Sequence, residues 1–161
     1  MFKTPKYHNE KVTTSEGVFD SKLEYRRYLY LRDQQQRGRI RNLMRQVRYT
    51  LIPKAIHVVP ITKHYKPRNG QPYQKVELHE RVLYKECTYT ADFVYECPIQ
   101  HPDLTDPVWH TVVEDTKSVA TAQSKEFKIK QKLMYSVHHI VLHIVTSPAA
   151  PFPPPTFPST Q

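Results

Sequence analysis

At 161 residues and 19.1 kDa, the chain has the length of one ordinary domain and can bury a core without disulfide or metal staples. No apolar run approaches the roughly 18–20 residues of a membrane span, and the N-terminus lacks a signal-like stretch, so a cytoplasmic protein is expected. Twenty-four Lys and Arg against 15 Asp and Glu give +9, all of it before Ser147, which favours a polyanionic partner such as nucleic acid.

Lys11–Thr14 and Gly17–Phe19 flank a Ser15-Glu16-Gly17 turn and read as a small hairpin. Asp20 or Ser21 caps a helix that runs to about Arg37, where Gly38 stops it. Val47, Tyr49 and Leu51 alternate in a strand over 46–53. Residues 54–80, with Pro60, Pro67, Asn69-Gly70 and Pro72, form an inserted hairpin or long loop. Strands follow at 88–96 and 107–117, with 98–107 as their connection. A helix from Thr121 or Ser124 to Val137 and an apolar strand over 139–145 close the core. Six of the 14 prolines lie in 148–158, which predicts a disordered Pro-rich tail over 147–161. The order helix, three strands, helix, strand is an α/β fold occupying 1–146.

On the strand ending in Glu114-Asp115-Thr116-Lys117, alternation puts Asp115 and Lys117 on one face. Asp92, between Ala91 and Phe93, faces away from Tyr89 and Tyr95; if the two strands pair, Asp92 and Asp115 converge, and Glu24 of the first helix can add a third carboxylate. Carboxylates with one ammonium suit metal-assisted phosphodiester hydrolysis, because Mg²⁺ takes hard oxygen ligands and polarises water. The lysine can orient that water. Cys87 and Cys97 form no Cys-x-x-Cys, and none of the nine histidines has a helical His partner, so no zinc site is expected.

Phe19-Asp20-Ser21-Lys22-x-Glu24, Tyr89-x-Ala91-Asp92-Phe93 and Glu114-Asp115-x-Lys117, in an α-β-β-β-α-β order, resemble the PD-(D/E)XK nuclease superfamily. More narrowly they are similar to a phage- and prophage-encoded family of small endonucleases of the Holliday junction resolvase type. The resemblance covers about residues 6 to 145. It implies a restriction-endonuclease-like core, with a mixed sheet flanked by helices, that cuts DNA, branched DNA included. It also implies Mg²⁺ or Mn²⁺ on Asp92 and Asp115, Glu24 as auxiliary ligand, and Lys117 as catalytic lysine. A homodimer in the host cytoplasm follows, since two symmetric cuts call for a two-fold assembly. Ser118 stands where the narrower family has glycine.

Each residue has a structural alternative. Ser21-x-x-Glu24 is also a capping-box pattern. Glu114, on the opposite face, is a second-choice ligand if a bulge exchanges it with Asp115. Arg37, Arg39, Arg41 and Arg45 read as a phosphate-binding track, and Lys125 and Lys128 as a second basic surface, or else as solvated charge. The alternative function is a non-catalytic basic nucleic-acid-binding protein. A weaker one is an adaptor that binds a partner through its Pro-rich tail.

Overall fold

The computed structural model describes residues 10–100, 103 and 105–154. The chain divides into two compact units, one formed by the residues up to Tyr49 and from Tyr89 on, the other by Thr50–Thr88. No helix among the described residues is long and apolar enough to cross a membrane.

The first unit is α/β. A hairpin of β1 (Val12–Thr14) and β2 (Gly17–Phe19) leads into α1 (Lys22–Gln36). Ser21 caps α1 through a 3.0 Å hydrogen bond from the Glu24 amide to Ser21 Oγ. The helix ends at Arg37, and Gly38 follows at φ 69°, a left-handed conformation suited to glycine. A four-stranded sheet follows in the order β3 (Arg41–Ile52), β6 (Cys87–Ile99), β7 (Val108–Thr116), β8 (Leu142–Val145). β6 and β7 are antiparallel, whereas β7 and β8 are parallel. A parallel pair needs a crossover, supplied here by α2 (Val119–Ala122) and α3 (Lys125–His138).

The β6–β7 register pairs Phe93 with Glu114 and runs without a shift to Ile99 opposite Val108. Alternation therefore sorts the side chains onto two faces. Phe93, Tyr95, Cys97 and Val112 pack with Leu31 and Ile40 into a buried cluster on the α1 side. Asp92, Val94, Val113 and Asp115 point the other way.

Four boundaries differ from the sequence reading. β3 begins at Arg41 rather than 46, through left-handed residues at Asn42 (φ 55°) and Gln46 (φ 53°). Pro98 lies inside β6, opposite Trp109, instead of opening the connection; it is exposed, as a residue without a donor can be near a strand's end. β8 starts at Leu142 because His139 takes φ 56° and ends α3. The tail is ordered past the expected boundary. Arg27 Nη1 donates to the Pro148 and Ala150 carbonyls at 3.0 and 2.7 Å, and the Phe152 ring lies 5.8 Å from Tyr95 and 6.1 Å from Tyr30. The buried Arg27 and the half-buried Phe152 hold this stretch against its proline content; the expected disorder over 155–161 lies outside the described residues.

In the second unit, the inserted segment is a hairpin. β4 (Ala55–Tyr65) pairs antiparallel with β5 (Tyr73–Tyr84), forming a ribbon about 35 Å long at 3.4 Å per residue.

Candidate active site

A cleft of about 680 Å³ opens at the start of α1 and the end of β7, lined by Asp20, Glu24, Asp92, Thr116, Lys117 and Ser118 among others. Three separate elements deliver its charges. α1 brings Glu24, β6 brings Asp92, and the end of β7 brings Asp115 and Lys117.

Asp115 is fully buried and lies beneath the cleft lining. Its Oδ1 accepts from Lys117 Nζ at 2.6 Å, and its Oδ2 accepts from the Tyr89 hydroxyl. Burial, followed by the adjacent Asp92 carboxylate, pushes the Asp115 carboxyl up to about 7, against the pull of Lys117. Burial and Asp115 likewise hold the Tyr89 phenol protonated, so it is a donor here. Strand alternation alone would have turned Tyr89 away from Asp115, yet its hydroxyl reaches the carboxylate while its ring lies 6.3 Å from Phe127 of α3. Lys117 Nζ stands 5.9 Å over that same Phe127 ring.

Asp92 is anchored on one oxygen. Oδ2 accepts from the Thr116 backbone amide at 2.8 Å and from the Thr116 hydroxyl at 2.7 Å. Oδ1 has a longer bond, 3.3 Å, from Gln46 Nε2. The same amide nitrogen donates to Glu24 Oε1 at 2.8 Å, so one Gln46 side chain ties the two carboxylates together. Burial, then the charge of Asp92, raises the Glu24 pKa. The second Glu24 oxygen accepts from the Asp20 amide at 2.7 Å. The capping role and the place in the cleft thus coexist in one side chain.

Gln46 was not singled out in the sequence. It occupies left-handed backbone inside a strand, which is uncommon for a non-glycine residue. The surrounding contacts hold that conformation, and such strain concentrates at working sites. Ser118 needs no glycine-like conformation. Its φ is −65°, and its hydroxyl caps α2 by accepting from the Thr121 amide at 3.2 Å.

Glu114 sits elsewhere. With no bulge to exchange it with Asp115, it points to the α1 side and receives Arg27 Nε at 2.6 Å, Arg27 Nη2 at 2.8 Å and the Tyr95 hydroxyl at 2.6 Å. Both side chains of the Arg27–Glu114 pair are fully buried. Glu114 is a core ion-pair residue, which corrects its second-choice ligand role.

The four arginines expected to form a phosphate-binding track also have partners within the chain. Arg37 pairs with Asp33 one turn back, Arg39 donates to Gln34, and Arg41 pairs with Glu96 while its guanidinium lies 4.2 Å over Trp109. Arg45 donates to the Glu16 and Val18 carbonyls at 3.0 and 3.1 Å and lies 3.7 Å over the Phe19 ring. These contacts tie the guanidiniums to the β1–β2 hairpin, α1 and the sheet, with Arg37, Arg39 and Arg41 exposed to solvent. Lys125 and Lys128 are exposed on α3, with no acidic partner within ion-pair distance among the described residues.

The donor set is all oxygen, which suits a hard divalent cation and not zinc. Among the described residues, no three His, Cys, Asp or Glu side chains converge on one point. Asp92 and Asp115, with Glu24 held alongside through Gln46, are the residues that could hold such an ion, and water or substrate would complete its shell. That is the usual manner of Mg²⁺, which keeps several waters on one or two carboxylates. Residues 4–149 match the family model described as "Protein of unknown function (DUF1064)". No curated protein and no solved structure matches the chain.

Proposed function

We propose that this chain, which belongs to the DUF1064 family, is a divalent-metal-dependent DNA endonuclease on a restriction-endonuclease-like core. One observation carries the reading. Two carboxylates from adjacent strands lie together, Asp92 on the wall of a cleft and Asp115 buried just beneath it, with the Lys117 ammonium 2.6 Å from the second. Buried like charges are costly unless a cation compensates them, and the fold spends three anchoring hydrogen bonds on holding Asp92 there.

Mg²⁺ or Mn²⁺ on Asp92 and Asp115 would supply Lewis acidity toward a phosphodiester. Thr116 fixes Asp92 through one oxygen, and the other accepts the longer bond from Gln46. Tyr89 holds Asp115 from below. Lys117, partly exposed at the cleft, can orient a water against the phosphorus. In-line attack forms the bond from water oxygen to phosphorus and breaks the bond to the 3′ oxygen. That oxygen leaves with a proton, giving 5′-phosphate and 3′-hydroxyl ends. The +9 chain and the exposed Lys125 and Lys128 favour a polyanionic substrate. Branched DNA, the substrate implied by the resemblance, would call for a two-fold assembly of two such sites.

The test is cleavage of four-way junction, flap, duplex and single-stranded DNA with Mg²⁺, with Mn²⁺ and with chelator. Metal-dependent nicking that Asp115→Asn and Lys117→Met abolish is expected. Salt-sensitive binding without nicking at any metal concentration would instead identify a non-catalytic DNA-binding protein.

A further inference from the structure

The β4–β5 ribbon has two unlike faces. The register pairs Ile56 with Val82, Val58 with Glu80, Pro60 with Leu78 and Thr62 with Val76, and opposed residues share a face. This side therefore carries Ile56, Val58, Val76, Leu78 and Val82, exposed by 44–73%, and one charge, Glu80. The other side mixes charged and apolar residues: Lys63, Lys75, Arg81 and the hub Glu77, which accepts from the Tyr65 hydroxyl at 2.9 Å and pairs with both lysines, stand beside Val59, Ile61, Tyr65 and Tyr73. A two-stranded ribbon has no second layer of its own to cover an apolar face, and an isolated hairpin is marginal in water.

We infer that the apolar face of this ribbon is a docking surface for a second copy of the same chain, joining two protomers about a two-fold axis. Charge disfavours nucleic acid on this side: Glu80 is its one Asp, Glu, Lys or Arg residue, His64 is its one imidazole, and Lys63, Lys75 and Arg81 lie on the opposite side. Area favours self-pairing. Five half-exposed to mostly exposed aliphatic side chains make a patch on the order of 500 Å², at the upper range for a free monomer surface. Two identical patches packed face to face, as sheets stack at about 10 Å, bury about 1,000 Å², which reaches the threshold of a specific interface. The strip of Ile, Val and Leu side chains, interrupted by Pro60, Thr62 and Glu80, presents the same surface on both copies, as an isologous contact requires.

The inference stands apart from the nuclease reading, because it concerns assembly and not chemistry. It is tested by sedimentation equilibrium on the full chain over a wide concentration range. Wild type is expected to be a dimer. Leu78→Glu and, separately, Val76→Lys should raise the dimer dissociation constant at least about tenfold. Lys75→Gln, on the opposite side, should leave it unchanged. Circular dichroism on each variant separates loss of pairing from loss of folding, since both apolar positions are solvent-exposed within the chain. A monomeric wild type, or a dimer that survives both substitutions in folded protein, would overturn the inference. So would a monomer whose DNA binding is lost in Leu78→Glu, which would assign the face to nucleic acid.

Discussion

Arg27→Met should be the most damaging single substitution outside the cleft. Arg27 and Glu114 are 0% exposed and meet through two bonds of 2.6 and 2.8 Å. Removing one partner of such a pair leaves an uncompensated buried charge, at about 3–5 kcal/mol. Arg27 also satisfies the Pro148 and Ala150 carbonyls, worth about 1 kcal/mol each. The loss approaches the lower end of a domain's whole stability, about 5–15 kcal/mol. At about 2–4 °C per kcal/mol, the melting temperature should fall by about 10 °C or more. Urea unfolding followed by circular dichroism and by Trp109, the single tryptophan, measures it. Arg27→Met combined with Glu114→Gln removes both charges and keeps an acceptor for the Tyr95 hydroxyl, so about half of the loss should return. A single variant that loses less than about 1 kcal/mol, or a double variant as unstable as the single, would refute the argument.

Phe152→Ala, which empties a ring packed on Tyr30 and Tyr95, should cost about 2 kcal/mol in the same unfolding assay, whereas a loose tail would lose nothing. Asp115 should give metal-free protein a pH dependence. Its folded pKa, about 7, lies above the ordinary 3.8, so the folded state holds the extra proton between those values. Stability should therefore rise as pH is lowered from 7 toward 4, and that Asp115 contribution should vanish in Asp115→Asn. Urea melts across that range, compared between the two proteins, check it. Gln46→Ala, which unties Glu24 from Asp92, should lower cleavage by about 10–100-fold with the fold intact, a split read by nicking rate against melting temperature.

The pattern-bearing elements were legible in the sequence because their signals are local. Ser21 and Gly38 bracket α1 by capping chemistry, and two-residue alternation assigns Asp92 and Asp115 to one face once β6 and β7 pair. Pro60, Pro67, Asn69-Gly70 and Pro72 admit a hairpin or a long loop in the insertion, and a hairpin is what forms. Long-range choices were not legible. Arg27 finds Glu114 across 87 positions, and Arg45 turns inward onto Phe19 and Tyr28 instead of outward to phosphate. Composition marks both arginines as surface charge, while packing buries Arg27 fully and half-buries Arg45 against aromatic rings. Gln46 left no trace because a left-handed residue inside a strand announces itself only when it is glycine. Residues 148–152 of the proline-rich tail depart from the expectation for a related reason. Proline content describes the backbone's own preference, and Phe152 and the carbonyls held by Arg27 override it.

Manganese binding, followed by the electron paramagnetic signal of free Mn²⁺, addresses the two facing carboxylates with no substrate present. Wild type should take up the ion, with Mg²⁺ competing for it, and Asp92→Asn and Asp115→Asn should each lose that uptake while remaining folded. Uptake that is equal in all three proteins, or absent from wild type, would contradict a shared cation at this cleft.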